Sequence, residues 1–278
     1  MAMQKTWRER SWANDVSTWL PRSYRRPVSI FTHVLFPLLS LVLFVFLWEG
    51  LLRWQHYPAY ILPWPGEVAH KFVVTAEDGT LWRHTRVTLV EIMGGLALGL
   101  TAATVLGYAL AKQPLLERLV GPYVVAAQAV PVVAIAPLII LWAGSGVFAK
   151  MLVAALTIFF PTLVNTMVGI RSVEEDYQEL FRALNASRWQ IFLKLEIPAA
   201  LPVLLGGLKI GTALAVIGAV VGEFVAADQG LGFLINLTSR GTLDTALLFV
   251  AIGVLVVIAL VLYTGVTLLE SHLLKWRG

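Results

Sequence analysis

The chain of 278 residues contains no cysteine. That excludes disulfides, thiol nucleophiles and any Cys-ligated metal centre. Charge is also scarce. Asp, Glu, Lys and Arg make up 14% of the residues, against roughly 25% in a soluble domain. The five histidines (His33, His56, His70, His84 and His272) are scattered without metal-ligand spacing, which speaks against a zinc or His-based catalytic centre. No Gly-Lys dipeptide occurs. The phosphate-cradling loop Gly-x4-Gly-Lys-Ser/Thr is therefore missing, and nucleotide hydrolysis of that kind is excluded for this chain.

What the chain has is apolar length. It is 58% hydrophobic with a mean hydropathy of +0.77. The reading is an all-α integral membrane protein with six spans near 28–52, 87–111, 120–142, 149–170, 199–225 and 246–269, each close to the roughly 20 residues a bilayer needs. The net charge of +4 does not point to nucleic acid, because the basic residues sort by membrane side. With the N-terminus inside, fourteen Lys and Arg fall on inner segments and six on outer ones, Lys150 at the outer start of the fourth span being counted with its loop, and Lys209 lies inside a span. The positive-inside rule thus places both termini in the cytoplasm. No cleavable signal peptide is expected, since the first apolar run starts late and is long. Residues 1–27 carry six basic residues, and Trp12, Val16, Trp19 and Leu20 share one helical face. They read either as an interfacial helix on an anionic leaflet or as a basic disordered tail. Residues 28–278 form the transmembrane domain.

Several features stand out within the spans. In the second, Glu91, Gly95, Gly99, Ala103 and Gly107 recur every four residues; in the fifth, Gly207, Gly211, Ala215, Ala219 and Glu223 do so. Small residues at that spacing let helices approach closely, along a ridge tilted to the helix axis. Each glutamate lies on such a row, so it faces protein or a cavity and not lipid. The two carboxylates fall near the outer ends. They either bond to a neighbouring helix or loop, or they line the outer part of the substrate path or latch the outward gate. The third span holds Gln128, Pro131, Pro137 and Trp142. Prolines there predict a broken or kinked helix of the sort that lines cavities. Gln128 and Asn165 are polar at membrane depth, as pathway groups or as interhelical hydrogen-bond partners. Lys209 is expected to snorkel inward.

The most hydrophilic stretch runs from Glu174 to Pro198, inside the cytoplasmic segment 171–198. Residues 175–184 contain no Gly or Pro and follow an acidic cluster suited to a helix N-terminus. Asn185 stands where that helix would end in the left-handed conformation. Ser187 can cap a second helix from Arg188 to about Ile197, and Pro198 marks a boundary before the next span.

This stretch resembles the cytoplasmic signature of permease subunits of bacterial ABC importers: Glu-Ala-Ala, three residues, Gly, nine residues, Ile, one residue, Leu-Pro. Glu179 takes the Glu position, Leu180 and Phe181 replace the alanines, Asn185 replaces Gly, Leu195 takes the Ile position, and Ile197-Pro198 take Leu-Pro. Ala186 and Ser187 belong to the same turn. The run Gly230-Leu231-Gly232-Phe233-Leu234-Ile235 is similar to a segment of the family's outer gate. Ile61 to Val68 resembles the Leu-Pro-x-Pro-x-x-Val segment of nitrate/taurine-type permeases. Three stretches look most like the vitamin branch that moves riboflavin or thiamine-type pyrimidines: Ala127 to Pro131, Phe160 to Thr166 and Gly218 to Glu223.

The resemblance implies the type I importer fold and a bacterial inner-membrane location. It implies no catalysis and no cofactor in this chain, with ATP and Mg bound by a partner ATPase. Partners would be ABC ATPase subunits, a periplasmic or lipid-anchored substrate-binding protein and a second permease copy. The coupling residues carried over are Glu179, Leu180, Phe181, Asn185, Ala186, Ser187, Leu195, Ile197 and Pro198. Pathway or gate candidates are Glu91, Gln128, Trp142, Asn165, Glu223, Gly230, Gly232 and Phe233. A sulfonate, taurine, nitrate or bicarbonate importer is the alternative substrate class. A secondary transporter is the rival of another class, though it would usually show internal repeats. A membrane-embedded enzyme is the third reading.

Overall fold

The computed structural model describes residues 30–275. The expected interfacial segment at 1–27 lies outside the described residues, as does Arg277. The chain divides into two units at His56. In the first, helix α1 (Ile30–Gln55) is apolar along most of its length, with exposed side chains such as Phe36, Leu39, Val42 and Phe46. A helix apolar on all sides is built for lipid. Arg53 closes its last turn with an ion pair to Glu49 at 3.2 Å.

In the second unit the described regular structure is all helical: α2 (Pro65–Glu77), α3 (Thr80–Lys112), α4 (Pro114–Gln128), α5 (Val132–Ala143), α6 (Val147–Arg171), α7 (Glu175–Ala183), α8 (Arg188–Ile191), α9 (Ile197–Ala226), α10 (Leu231–Leu237) and α11 (Thr245–Leu273). Five segments are long and apolar enough to cross a membrane: 38–55 in α1, α3, α6, 188–226 and α11. Helices α4 and α5 make a sixth crossing if taken together.

That pair is where the single span expected at 120–142 differs. The two helices bend by 100° at the break between them. Pro131 supplies no N–H and pushes Val130 out of the helical region, so the first helix has to stop there. A further helix, α2, lies within what reads in sequence as an outer loop. Its start is set by Pro65 in the first turn and by Glu67, whose Oε2 accepts the Trp64 N–H at 3.0 Å. Lys71 of α2 pairs with Asp244, which also caps α11 by accepting the Leu247 N–H at 3.1 Å.

Helix α6 packs between α3 and α9. The small-residue row of α3 does what its spacing predicts. A side chain on Gly99 would meet Ile158 Cγ1 at 2.5 Å and the Ala155 carbonyl at 2.8 Å. One on Gly107 would meet the Leu163 carbonyl at 2.8 Å. On α9 all members of the expected row are buried. The residues that touch α6 closely, however, are Gly207, Gly218 and Gly222. Gly207 and Gly218 are about three turns apart, at 3.6 residues per turn. They keep one face, whereas an i+4 row drifts around the helix. The shared core joins Ile92 and Leu96 of α3, Ile158 of α6, Val216 of α9, Leu231 of α10 and Val250 of α11.

Candidate functional site

The hydrophilic stretch folds as its residue types direct. Asn185 has φ 54°, in the left-handed region. The Ala186 N–H donates to the Phe181 carbonyl and the Asn185 N–H to that of Arg182, both at 3.0 Å. This pair of bonds closes a Schellman end on α7. Ser187 and Gln190 then form a reciprocal capping box: Ser187 Oγ accepts the Gln190 N–H at 3.3 Å, and Gln190 Oε1 accepts the Ser187 N–H at 2.8 Å. Helix α7 buries no side chain. Tyr177, Leu180 and Leu184 are all exposed and fall on one face at i, i+3 and i+7. Glu179 is exposed on another side of the helix, and Phe181 is half-buried.

Beyond α8 the structure corrects the expected boundary at Pro198. The helix does not end there. Residues 188–226 run on as one span, through a π-helical turn at Phe192–Glu196. The Ile197 N–H reaches back to the Phe192 carbonyl, one residue further than in an α-helix. A wide turn of this kind absorbs a proline at the start of α9, where an α-helical bond would be lost. Leu195, Ile197 and Pro198 are half-buried along it.

Glu196, in that turn, is 3% exposed. Its Oε2 accepts the Tyr108 hydroxyl at 3.1 Å, and its Oε1 pairs with the Lys112 ammonium. Phe192 packs edge-on to Tyr108, with ring centroids 5.1 Å apart. The end of the hydrophilic stretch is therefore tied to the C-terminal end of α3. Next to it, Arg171 at the end of α6 grips the Glu117 carboxylate of α4 with two nitrogens.

The opposite end of the bundle holds a buried polar cluster. Glu91, Thr88, Lys150, Glu223 and His84 are each less than 5% exposed. Glu223 Oε1 accepts the Thr88 hydroxyl at 2.6 Å. Its Oε2 accepts the N–H groups of Gly232 and, at 3.3 Å, of Phe233. Thr88 Oγ1 accepts the Leu231 N–H at 2.8 Å, and His84 Nδ1 accepts the Gly230 N–H at 2.9 Å. The free N–H groups that any helix start leaves are thus all taken, in α10, by side chains of α3 and α9. His84 also stacks on Phe233, with ring centroids 5.8 Å apart. Glycine is required at two of these positions. A Cβ on Gly230 would overlap the Glu223 carboxyl, and one on Gly232 would lie 2.8 Å from Glu223 Oε2. Gly230 also sits at φ 121°, which other residues rarely adopt. Glu91 stands behind this latch with Lys150 Nζ at 3.6 Å.

Of the sequence candidates, the structure brings Glu91, Glu223, Gly230, Gly232 and Phe233 into one cluster. Gln128 lies apart from them at the α4–α5 break, and Asn165 lies against Gly207. Trp142, near the end of α5, is 77% exposed and touches neither group. Sequence reasoning missed Lys150, counted as a loop cation; Gly222 allows its backbone to lie against α9. It missed Thr88, His84 and Glu196 as well. Lys209 is paired with Glu270 of α11, so it does not simply snorkel. Among the described residues no group of three or more His, Asp or Glu is placed to hold a metal ion.

Residues 95–275 match the family described as binding-protein-dependent transport system inner membrane component. The chain belongs to this family. It is a multi-pass permease of the ABC importer class. It is 48% identical to the riboflavin transport system permease protein RibX of Chloroflexus aurantiacus, over 86% of this chain and 89% of that protein. It is 35% identical to the formylaminopyrimidine transport permease protein ThiX of Halalkalibacterium halodurans, over 87% and 95%. A chain of the MetNI methionine ABC transporter in an inward-facing conformation shares the fold, with a TM-score of 0.62 at 19% identity, covering 70% of this chain and 96% of that one.

Proposed function

We propose that this chain forms the translocation path of an ATP-driven importer for a vitamin or vitamin precursor, riboflavin or a thiamine-type pyrimidine. The observation that carries the substrate is the 48% identity to a riboflavin permease over most of both chains. The permease works with two cytoplasmic ATPase subunits, a periplasmic or lipid-anchored binding protein and a second permease copy. It sits in a bacterial inner membrane with both termini in the cytoplasm. The ATPase binds ATP and Mg; this chain binds neither.

In this reading α7 is the coupling helix. Its face of Tyr177, Leu180 and Leu184 is exposed among the described residues and fits a groove on the ATPase. The α10 end is the outer gate, held shut by Glu223, Thr88 and His84. ATP-driven closure of the ATPases moves α7 and α8, and the pore opens to the docked binding protein. Such coupling requires each state to bind its partners differently.

Purification from native membranes followed by reconstitution tests the proposal. An ATPase should co-purify in equal amount, and a riboflavin-loaded binding protein should stimulate its hydrolysis and drive riboflavin uptake. Uptake driven by an ion gradient without an ATPase would make the chain a secondary transporter.

A further inference from the structure

The sharp bend between α4 and α5 opens a cleft of 220 Å³, lined chiefly by Gln128 and Ile135, by Leu156, Thr157 and Phe160 of α6, and by Leu214 of α9. Its composition differs from that of the other clefts. No charged side chain lines it. The two clefts at the α10 end of the bundle include Lys150 and Asp228, or Arg83 and Arg86. The cleft next to the π-helical turn includes Lys112, Arg182 and Arg188. The Gln128 side chain, at the last residue of α4, makes no hydrogen bond with another described residue, so its amide offers both a donor and an acceptor. The Thr157 hydroxyl is already given to the Val153 carbonyl at 2.8 Å. Phe160 packs edge-on against Phe159, with centroids 5.0 Å apart, which steadies its ring.

We propose that this cleft is the contact point for a neutral planar nitrogen heterocycle in transit, with Phe160 against the ring face and the Gln128 amide on a ring edge. The inference rests on the vitamin-importer reading and says where in this chain the substrate is recognised. A primary amide presents a donor and an acceptor side by side. That matches ring edges on which C=O and N–H groups alternate. Aromatic rings stack in offset or edge-to-face arrangements. An anion is rejected for a complementary reason: without a cation in the cleft, its charge would be desolvated unpaired. The volume is below the roughly 300–1,000 Å³ of sites that enclose a drug-sized ligand. The cleft therefore takes one ring system, and the rest of a larger molecule stays outside it.

The test uses the full assembly in proteoliposomes, with its ATPase and binding protein, and measures riboflavin uptake per ATP hydrolysed. Gln128→Ala and Phe160→Leu should each lower that ratio about five- to tenfold, the size of one neutral hydrogen bond or one stacking contact. Stimulation of hydrolysis by loaded binding protein should persist, which shows that the variants are folded and coupled. Phe160→Tyr should keep most of the transport. If both variants move riboflavin at the wild-type ratio, the cleft assignment falls while the importer reading stands. If the wild-type assembly moves no riboflavin but carries an aliphatic sulfonate, the substrate reading falls and takes this inference with it.

Discussion

Replacing Glu223 by alanine should release helix α10. The carboxyl is 1% exposed and accepts three hydrogen bonds: from the Thr88 hydroxyl and from the N–H groups of Gly232 and Phe233. The Thr88 hydroxyl has a second acceptor in reach, the His84 carbonyl at 3.3 Å, so its loss is partly made good. The two backbone N–H groups have no such alternative. Each buried donor left unpaired costs ~1–3 kcal/mol, so the variant should weaken closure of α10 by about 2–6 kcal/mol. At 1.4 kcal/mol per factor of ten, the open fraction rises by roughly 30- to 20,000-fold. Hydrogen exchange of residues 230–237 reads this directly, since local opening sets the exchange of protected amides. Glu223→Gln keeps one oxygen acceptor and should fall between the two. The apolar contacts of Leu231 and Leu234 with the core remain in both variants, so the rest of the bundle should exchange as before. If the alanine variant exchanges within about threefold of the wild type over this segment, where ~30-fold is the least expected, the latch is not what holds α10.

Gly99→Leu should lower the melting temperature in detergent, because the new side chain would strike the Ala155 carbonyl at 2.8 Å. Overpacking of this kind costs ~1–3 kcal/mol or more, and an unchanged melt would remove the α3–α6 ridge from the account. Lys150→Met should destabilise by ~3–5 kcal/mol, the size expected when one member of a buried ion pair is removed. The Lys150→Met, Glu91→Gln double variant should recover most of that, and a double-mutant cycle with no coupling would show the pair to be incidental. Glu179→Lys reverses charge on the proposed coupling helix. It should abolish transport while insertion and assembly of the permease persist, and normal transport would remove Glu179 from the coupling role. Glu196→Gln breaks the pair with Lys112 and should leave ATP hydrolysis intact while reducing transport. Equal loss of both activities would indicate simple unfolding.

Local chemistry was legible in the sequence, and long-range partnership was not. Asn185 and Ser187 could be placed because a left-handed helix end and a capping box need only neighbours in the chain. The α3 row could be read because glycines four apart imply a close helix, whichever helix that is. Pro198 misled because proline normally marks a boundary, and only the π-helical turn before it shows why the helix continues. The α9 row was right about burial, and Gly207 in it touches α6; that Gly218 and not Gly211 makes the next close approach depends on where α6 lies. Lys150 stands at the start of an apolar run and looks like a loop cation until Glu91 is seen 3.6 Å away. Glu196 occupies a variable position of the family signature. Its value comes from Lys112, which is 84 residues away in the chain.

The two ends of the bundle share a design. The continuous span 188–226 carries one buried glutamate in the π-helical turn just before α9 and another near the C-terminal end of α9, and each binds the antiparallel helix α3. Glu196 meets Tyr108 and Lys112; Glu223 meets Thr88. At 1.5 Å per residue the two glutamates are roughly 40 Å apart along that span, and Thr88 and Lys112 are roughly 36 Å apart along α3. Both spacings exceed the ~30 Å hydrocarbon thickness of a bilayer. The polar ties can therefore stand at its two margins, where ionisable groups are least costly. The middle of the α3–α6 contact is left to small residues and apolar side chains such as Gly99 and Ile158. Between the ties, α9 is continuous with the segment that begins at Arg188. The bent pair α4–α5 is the only broken span among the described residues, and it lies off this line. A displacement applied to α8 thus has a direct helical route to the groups that hold α10, with no flexible loop in between to absorb it.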